Sequence, residues 1–376
     1  MLFWLALAAA GLWLAVLLVP WRPWSTRERL EPNRVSGNAG CERSVSVLIP
    51  ARNEAATIAS TLASVLAQDQ VDSVVVVDDQ STDDTAGVVR QVQGANLVEG
   101  QATPPGWTGK LWALEQGLAR VECSLVLLLD ADIRLAPGML AALVDKLESD
   151  ELDQVSIMAT LPAGSLPEKL MLPAFVYFFK QLYPFAWVNR DDRPFAAAAG
   201  GCVLVRRDAL QRAGAFAAWK DALIDDCELA SRVRAAGGRI WLGLSHGVTS
   251  MRRHPDLSSV LDTIRRTAYT QLRHSPVILI AVVVIMLAAF GLPLLALVAG
   301  IMQGNGGLVI CGLAGWLLMA MGYLPQVRFS RINAAWAFSL PIAAMLFVYA
   351  TIDSGLRHHF GRGSGWKGRN YSRARE

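Results

Sequence analysis

At residues 125–132 the sequence reads Leu125-Val-Leu-Leu-Leu-Asp-Ala-Asp132, an apolar run that ends in two acidic residues. Five consecutive aliphatic residues predict a strand that is buried on both faces of a sheet. Asp130 and Asp132 would then lie at the end of this strand. Carboxylate oxygens suit Mg²⁺ or Mn²⁺, and such an ion can bridge to diphosphate oxygens. Two aspartates with this spacing are also common in loops and caps, so their position after an apolar strand is what favours a metal site.

A second acidic pair follows another apolar strand. The segment Val74-Val-Val-Val-Asp-Asp-Gln-Ser-Thr-Asp-Asp-Thr85 predicts a strand, two carboxylates and then a helix whose start is rich in capping residues. Capping accounts for the Ser-Thr-Asp segment at 81–83. It does not account for Asp78 and Asp79, which we expect to meet the base and ribose of a nucleotide.

The first predicted strand of this region covers Ser44–Pro50 and leads into Pro50-Ala-Arg-Asn-Glu54. Glu54 is either a first-turn acid that complements the dipole of the next helix or a ribose contact. From Ser44 to Glu148 predicted strands alternate with predicted helices, which indicates an α/β fold with a mostly parallel sheet covered on both faces. Because ligands bind beyond the carboxyl ends of the strands in such sheets, we expect all these acidic residues to face one site.

The chain is strongly apolar near both ends. Leu2–Val19 carries no charge and is long enough to cross a bilayer, and the nearest arginines follow it. The positive-inside rule then places the N-terminus outside and the next domain in the cytoplasm. A cleaved signal peptide is the alternative. Residues 275–327 carry no charge and predict two spans, near Pro276–Ile301 and Leu308–Leu324, and a third apolar segment covers Ile332–Ile352.

Four complete spans would place the basic tail outside, against the positive-inside rule. The segment Ile332–Ile352, which Pro341 interrupts, is therefore predicted to be re-entrant or to lie in the membrane interface. The predicted organisation is an N-terminal transmembrane anchor at 1–20, a linker at 21–43, a cytoplasmic catalytic domain at 44–274, C-terminal membrane segments at 275–353 and a basic cytoplasmic tail at 354–376.

The composition agrees with this mixture of soluble and membrane-embedded parts. The 376 residues are 53% hydrophobic and 18% charged, and the mean hydropathy is +0.34. A net charge of +3 gives no indication of a nucleic-acid partner. The five cysteines lack Cys-x-x-Cys spacing, which argues against a disulfide framework or a zinc site.

Taken in order, the acidic motifs resemble those of the family 2 glycosyltransferases, which have the GT-A fold of nucleotide-diphospho-sugar transferases. The matching segments are Val45-Ser-Val-Leu-Ile-Pro-Ala-Arg-Asn-Glu54, the motif around Asp78 and Asp79, and Asp130-Ala-Asp132. The resemblance covers residues 44 to about 250. It implies a divalent metal, Mg²⁺ or Mn²⁺, on Asp130 and Asp132, and a nucleotide-sugar donor, in first place a UDP-sugar, bound by Pro50, Arg52, Glu54, Asp78, Asp79 and Asp130.

Within that family, Gly106-Trp-Thr-Gly-Lys-Leu-Trp-Ala113 and the membrane layout resemble the enzymes that glycosylate lipids. These include the ceramide and carotenoid glycosyltransferases, and the nearest group is the hopanoid-biosynthesis-associated glycosyltransferases of bacteria. The resemblance implies that Lys110 lies near the donor phosphates. The alternative is a solvated lysine at the start of a helix.

The family carries an acidic pair ahead of a helix, and Ala222-Leu-Ile-Asp-Asp-Cys-Glu-Leu229 occupies that place here. The match implies that Asp226 is the catalytic base, which removes the acceptor hydroxyl proton, and that Asp225 is its neighbour. Simple capping of the following helix is the alternative. Gly200 and Gly201 resemble the family's glycine loop beside the acceptor, where the alternative is a plain turn before a strand.

The family's later Gln-x-x-Arg-Trp motif, which holds the growing chain in processive polysaccharide synthases, is not intact. The nearest segment is Gln271-Leu-Arg-His274, in which Arg273 is predicted to contact the diphosphate. The absence of an intact Gln-x-x-Arg-Trp motif favours transfer of one sugar over polymerisation. The arginines at 252, 253, 265 and 266 are predicted to meet anionic lipid headgroups instead, and the aromatic segment Met171–Val188 is predicted to be an interfacial helix rather than a core helix.

The sequence therefore predicts a multi-pass protein of the inner membrane with a cytoplasmic catalytic domain. We expect it to transfer one sugar, with inversion, from a nucleotide-sugar to a hydroxyl of a membrane lipid, in first place a hopanoid-related one. A processive polysaccharide synthase is the second hypothesis. A non-catalytic, nucleotide-binding membrane scaffold is the third.

Overall fold

The structure is a computed structural model that describes residues 1–32 and 44–360, together with the backbone of residues 364–366 and 369–371. The predicted linker lies partly outside the described residues, and so does the predicted basic tail.

The chain forms two compact units, and neither is continuous in sequence. The sheet unit consists of residues 28–162 and 187–252. The helical unit consists of residues 1–27 and 163–186 and of the chain from 253 onwards. The expected catalytic domain at 44–274 thus differs from the sheet unit, which leaves out 163–186 and everything after 252.

The sheet unit is built on one eight-stranded sheet with the spatial order β3-β2-β1-β4-β7-β6-β8-β5. The first four strands pair in parallel, as β6 and β8 do, whereas β7 is antiparallel to both neighbours and β5 is antiparallel to β8. The strands are β1 Val45–Ala51, β2 Val71–Asp78, β3 Ala95–Glu99, β4 Leu125–Leu129, β5 Ile133–Leu135, β6 Gln154–Thr160, β7 Cys202–Arg206 and β8 Ile240–Ser250.

The sheet is therefore mixed. Six of its eight strands run in the same direction, as a mostly parallel sheet requires, whereas β7 and β5 run opposite to them. The physical reason is that strands and helices alternate regularly only as far as β4, which β5 follows with no helix between them, and this alternation is what predicts parallel pairing. Beyond that point β7 inserts between β4 and β6 in the opposite direction. Local patterns in the sequence do not specify this non-local pairing.

The helices lie close to the predicted positions where the apolar periodicity is strong. In chain order they are α1 Leu2–Leu18, α2 Ile58–Leu66, α3 Thr85–Arg90, α4 Gly109–Leu118, α5 Met139–Ser149, α6 Leu166–Leu182, α7 Phe185–Val188, α8 Arg207–Arg212, α9 Asp225–Ala235, α10 Leu257–Gln271, α11 Pro276–Met286, α12 Leu292–Gln303, α13 Gly306–Phe329 and α14 Leu340–His359. The strands β9 Ser364–Trp366 and β10 Arg369–Tyr371 pair as a small antiparallel ladder near the C-terminus.

The centre of the sheet is as apolar as the sequence predicts. All five residues of β4 are buried, with Leu128 the most exposed at 6%. Each fully buried aliphatic side chain of this kind stabilises the fold by roughly 1.5–3 kcal/mol. Helix α4 approaches β1 closely at Gly117, where an added Cβ would lie 2.3 Å from Leu48 Cδ1. This close packing fixes the start of α4 relative to the carboxyl ends of β1 and β4.

The helical unit contains three described segments that are long and apolar enough to cross a membrane, namely Pro276–Gln303, Gly306–Phe329 and Ala334–His359. The first two agree with the predicted spans. Helix α1 is apolar but has only 17 residues, which is at the short end of what a span requires.

Pro341 does not interrupt the third apolar segment. It lies in the first turn of α14, where proline is tolerated because its missing N–H has no intrahelical acceptor. The helix then continues to His359, and with the preceding 3₁₀ turn it forms a segment of 26 residues. Pro341 therefore gives no reason to single out this segment as re-entrant, and the topology expected from the basic tail remains a prediction.

The aromatic segment predicted as an interfacial helix forms α6 in the helical unit, followed by the short α7. A capping box between Ser165 and Glu168 starts α6. Tyr177 and Lys180 are buried within the helical unit, while Leu166 and Leu182 are exposed at the two ends of the helix. The interfacial role of α6 remains a prediction.

Candidate active site

Asp130 and Asp132 lie in the tight turn that follows β4. The backbone N–H of Asp130 donates to the carbonyl of Gly201, and the N–H of Ile133 donates back to the carbonyl of Asp130. Asp132 is 6% exposed, and Ser250 Oγ donates to its Oδ2 over 3.2 Å. Burial raises the pKa of the Asp132 carboxyl above its ordinary value, and the nearby charges of Asp130 and Glu54 add to the rise.

Lys110 connects Asp130 with the acidic pair of α9. Its Nζ lies 3.1 Å from Asp130 Oδ1 and 3.0 Å from Asp225 Oδ2. It projects from the first turn of α4, whose position the contact at Gly117 fixes. Burial alone would lower the pKa of Lys110, but the carboxylates of Asp130, Asp225 and Asp226 outweigh burial and raise it. Lys110 is therefore a charged partner of the acidic cluster, not a solvated lysine at a helix start.

Asp226 is anchored through both of its carboxylate oxygens. Oδ2 accepts from the N–H of Gly200 at 2.7 Å, and Oδ1 accepts from the N–H of Cys227 at 2.8 Å. Burial and the charge of Asp225 together raise the pKa of Asp226 to about 6, against the opposing effect of Lys110. Ile224 is the N-cap of α9, and Asp225 and Asp226 lie in its first turn, where acidic residues complement the helix dipole. The bond from Gly200 is an additional contact that stabilisation of the helix start does not require.

The glycine loop lies directly against these acidic side chains. A Cβ on Gly200 would lie 3.1 Å from Asp226 Oδ2 and 3.2 Å from Asp226 Cβ. Gly201 provides the carbonyl that accepts from the N–H of Asp130. The loop thus holds Asp226 and Asp130 in register with one another, and it is more than a plain turn before β7.

A cavity opens beside these groups, at the carboxyl ends of β1 and β4. Pro50, Lys110, Asp130, Gly200 and the two α9 aspartates line it together with Trp219 and buried leucines. The sequence analysis assigned all of these polar residues to one site, and the structure brings them together.

A second part of the site lies at the carboxyl end of β2. Asp78 pairs in register with Ala51 of β1, and Asp79 donates its N–H to the carbonyl of Ala51. Asp78 Oδ2 accepts from the N–H of Ser81, whereas its buried Oδ1 has no hydrogen-bond partner among the described residues. Arg52 Nη1 donates to the carbonyls of Asp79 and Gln80 and so ties the ends of β1 and β2 together.

The segment 81–83 does not serve mainly as a helix cap. Ser81 Oγ accepts from the N–H of Asn53, and Asp83 Oδ2 accepts from the N–H of Ala55. Only Asp83 also bonds to the start of α3, where its Oδ1 accepts from the N–H of Thr85. The capping interpretation is therefore wrong for Ser81 and Thr82, because the 53–55 loop competes for the polar groups of this segment.

Arg252 belongs to the site, although its sequence motif suggested lipid headgroups. Its Nε lies 3.1 Å from Asp132 Oδ2, and its Nη2 lies 3.0 Å from Glu54 Oε1. Glu54 is thus an ion-pair partner in the site. Burial alone would lower the pKa of Arg252, but Asp132 and Glu54 raise it overall. The position follows from the pairing of β8 with β5, which no local pattern reveals.

Arg273 is the one predicted donor-binding residue outside the sheet unit. It follows α10 in the helical unit and has a positive φ of 53°. Its contact with a diphosphate remains a prediction.

Among the described residues, no group of three or more His, Cys, Asp or Glu side chains is arranged to hold a metal ion. Instead, each of the two carboxylates of the Asp130-Ala-Asp132 motif faces a side-chain cation. Lys110 is at Asp130 and Arg252 is at Asp132.

Comparison with known proteins agrees with this geometry. Residues 46–214 match the family model described as Glycosyl transferase family 2. The 4,4'-diaponeurosporenoate glycosyltransferase of Staphylococcus aureus is 33% identical over 111 residues, which span 29% of this chain and 28% of that protein. This chain therefore aligns with less than a third of the curated relative's length.

A solved structure extends the likeness in fold. The mannosyltransferase of Pyrobaculum calidifontis, solved in complex with GDP-Man and Mn²⁺, superposes with a TM-score of 0.56 at 19% identity, over 92% of this chain and 99% of that one. The match of the family model confirms the prediction of a glycosyltransferase domain. Residues 46–214 therefore match the family 2 glycosyltransferase model, and the chain shares its fold with the solved mannosyltransferase.

Proposed function

We propose that the protein transfers one sugar from a nucleotide-sugar to a hydroxyl of a membrane lipid, with inversion at the anomeric carbon. The observation that carries the proposal is the setting of Asp226. This half-buried carboxylate, whose pKa is raised to about 6, is oriented by Gly200 and Cys227 and lies next to the Lys110–Asp130 pair of a GT-A domain.

Asp226 has the properties of a general base for this reaction. It is mostly ionised at neutral pH, and its pKa is near enough to neutrality for it to take a proton in the transition state. As the acceptor oxygen forms its bond to the anomeric carbon, Asp226 removes the hydroxyl proton. The bond from that carbon to the diphosphate oxygen breaks, and the nucleoside diphosphate leaves with the electron pair. A single displacement of this kind inverts the anomeric centre.

Asp130 and Asp132 fit a divalent metal, Mg²⁺ or Mn²⁺. Their side chains offer only oxygen donors, and such ions complete their coordination with water and substrate phosphates. The solved mannosyltransferase complex with GDP-Man and Mn²⁺ supports this assignment. When bound, the metal supplies positive charge to the leaving diphosphate. Lys110 lies at Asp130 on the side of Asp226 and adds to that charge.

Asp78 and Asp79 are proposed to hold the nucleoside of the donor. Asp78 is 9% exposed and its Oδ1 has no hydrogen-bond partner among the described residues, so it can accept a hydrogen bond from a base N–H or a ribose hydroxyl. Arg52 keeps this edge in place. We propose a UDP-sugar as the donor and treat a GDP-sugar as the competing possibility, because the solved neighbour contains GDP-Man.

A lipid acceptor is supported by two observations. Three described helices are long and apolar enough to cross a membrane. The aligned relative from Staphylococcus aureus is named for the glycosylation of 4,4'-diaponeurosporenoate. We therefore place the protein in the inner membrane with its catalytic domain in the cytoplasm. The hopanoid-related acceptor rests on the resemblance of the lipid-glycosylating motif alone.

The proposal is tested by a donor screen on the purified full chain. UDP- and GDP-sugars are supplied with Mn²⁺ and with bacterial membrane lipids that include hopanoids, and glycosylated lipids are detected by mass spectrometry. We expect one lipid to gain a single sugar. Full activity in Asp132→Ala and Asp226→Ala variants contradicts the site assignment. A ladder of products supports a processive synthase, and nucleotide binding without turnover supports a scaffold.

The rate of transfer is expected to depend on pH through Asp226. Because only the ionised carboxylate accepts the acceptor proton, kcat/KM should be constant above pH 7 and fall as the pH drops through about 6. The measurement is kcat/KM for the acceptor from pH 5 to 8 at saturating donor. A profile with no inflection between pH 5 and 7 contradicts this role of Asp226.

Gly200→Ala is expected to lower turnover about tenfold or more, since displacing a catalytic group by a fraction of an ångström is costly. The new methyl group would lie 3.1 Å from Asp226 Oδ2 and push that carboxylate out of position. Gly201→Ala is the matched control, because its methyl group would instead meet Ile133 Cδ1, the movable end of an aliphatic side chain. Equal turnover in the two variants would count against the anchoring of Asp226 by Gly200.

A further inference from the structure

Arg252 is held in a fixed relation to Asp132 by the backbone. Ser250 at the end of β8 pairs with Ile133 of β5, and the N–H of Met251 donates to the carbonyl of Asp132 at 2.8 Å. Ser250 Oγ then accepts from the N–H of Arg252 and donates to Asp132 Oδ2. The pairing of β8 with β5 thus places the Arg252 guanidinium beside Asp132, the proposed metal ligand.

The Arg252 guanidinium pairs with both Asp132 and Glu54. Asp132 and Glu54 have side chains that are 8% and 12% exposed, whereas the side chain of Arg252 is 38% exposed. The carboxylates are thus enclosed, and the side chain of the arginine that neutralises them is partly exposed. A planar guanidinium pairs with phosphate as readily as with carboxylate, in the same two-pronged geometry.

We propose that Arg252 is a positioning residue that makes metal binding and donor binding depend on each other. In the ligand-free site it neutralises Asp132 and Glu54 and so competes with a divalent ion for Asp132. The diphosphate of the donor offers Arg252 an alternative partner, which frees Asp132 for the metal. This inference rests on the proposed function, and it adds an order to the assembly of the site.

Arg252 separates from Asp132 by exchanging its anionic partner and not by losing its own proton. An arginine stays protonated at any physiological pH, so Arg252 leaves Asp132 as a cation, and a diphosphate compensates that charge better than water does. While it stays, a metal ion near Asp132 meets a positive charge 3.1 Å from the same carboxylate oxygen. Lys110 has a different position, because it joins Asp130 to Asp225 on the side of the proposed base.

The test is a set of calorimetric titrations on the full chain in detergent micelles, which need no turnover. MnCl₂ is titrated alone and in the presence of saturating UDP or GDP, whichever binds. In the wild type we expect Mn²⁺ to bind at least tenfold more tightly with nucleotide, a coupling of ordinary size for linked sites. By linkage, the nucleotide must gain the same factor from Mn²⁺.

In Arg252→Gln we expect nucleotide-free protein to bind Mn²⁺ about tenfold more tightly than the wild type. We expect the coupling factor to fall several-fold, to the part that direct contact between the metal and the diphosphate supplies. Arg252→Lys keeps the charge and should retain most of the coupling, which separates the charge from the packing of the side chain. Arg239→Gln removes an equal charge from an exposed ion pair with Asp191 in the same unit and should leave both quantities unchanged.

The outcomes separate this inference from the proposed function. If Arg252→Gln binds Mn²⁺ alone no more tightly than the wild type, or keeps the full coupling factor, the inference is overturned while the glycosyltransferase proposal stands. If the wild type binds neither UDP nor GDP with Mn²⁺, the proposed function and the inference both fail. Tighter binding of Mn²⁺ alone together with reduced coupling, in Arg252→Gln only, supports the inference.

Discussion

Asp226→Asn is expected to lower kcat by about 10²–10⁴, the range that a positioned general base contributes. The amide has nearly the same shape as the carboxylate but cannot take the acceptor proton. Donor affinity should change little, because the proposed nucleoside contacts lie at Asp78 and Asp79. The measurement is single-turnover transfer from the donor that the screen identifies, with nucleotide binding measured on the same samples.

A loss of folding must be separated from a loss of chemistry in this variant. Both Asp226 oxygens accept backbone hydrogen bonds, from Gly200 and Cys227, and an amide can satisfy only one of these two donors. The lost hydrogen bond costs about 1–2 kcal/mol of the free energy of unfolding, and removal of a charge whose pKa is raised in the folded state offsets part of that cost at neutral pH. Glu228→Gln is the matched control, because Glu228 lies in the same first turn of α9 and pairs with Arg232. A drop of less than tenfold in Asp226→Asn would refute the base assignment.

The sequence predicted those parts of the fold that local patterns determine. The strands β1, β2 and β4 are continuous apolar runs, and a run of this kind makes a buried strand in almost any context. The acidic residues at their ends therefore had to meet at one edge once the strands paired in parallel. Asp78, Asp79 and Asp130 lie where this argument places them.

The parts that the sequence did not predict depend on non-local pairing. The direction of β7 and the neighbourhood of Arg252 both follow from contacts between segments far apart in the chain. Arg252 is next to Arg253 in a basic segment, which looks like a headgroup-binding motif until β8 is paired with β5. The role of the polar segment 81–83 was mispredicted for a similar reason. Helix capping is a contact between neighbours in sequence, whereas Ser81 and Thr82 bond to Asn53 in the distant 53–55 loop.

The resemblance to a family contributed what physical pattern alone did not. A pair of acidic residues at the start of a helix has an ordinary explanation in capping. The structure adds a contact that capping does not require, because Asp226 also accepts from the N–H of Gly200, which is 26 residues away. Lys110 shows the same point, since a lysine at a helix start is unremarkable until its two carboxylate partners are known.

Lys110→Met is expected to have the second large effect, on both the rate and its pH dependence. The substitution keeps the length of the side chain and removes the cation that contacts Asp130 and Asp225. Because Lys110 opposes the rise in the pKa of Asp226, its loss should move the acid limb of the kcat/KM profile upward by about 1 pH unit or more. At pH 7 we expect kcat to fall by about 10²-fold, since a charge that stabilises the leaving group is also lost.

The Lys110→Met variant should also have a lower free energy of unfolding, because Asp130 and Asp225 lose their positively charged partner. Without Lys110 the folded carboxylates hold protons more tightly than the unfolded chain does, so stability should decline as the pH rises through the folded-state pKa. Breaking a fully buried pair costs about 3–5 kcal/mol, and we expect about half of that here, because Lys110 is 21% exposed. Lys146→Met is the matched control. Lys146 is 24% exposed, and it pairs with Asp150 at the C-terminal end of α5. An unshifted pH profile in Lys110→Met would mean that Lys110 does not set the proton affinity of Asp226.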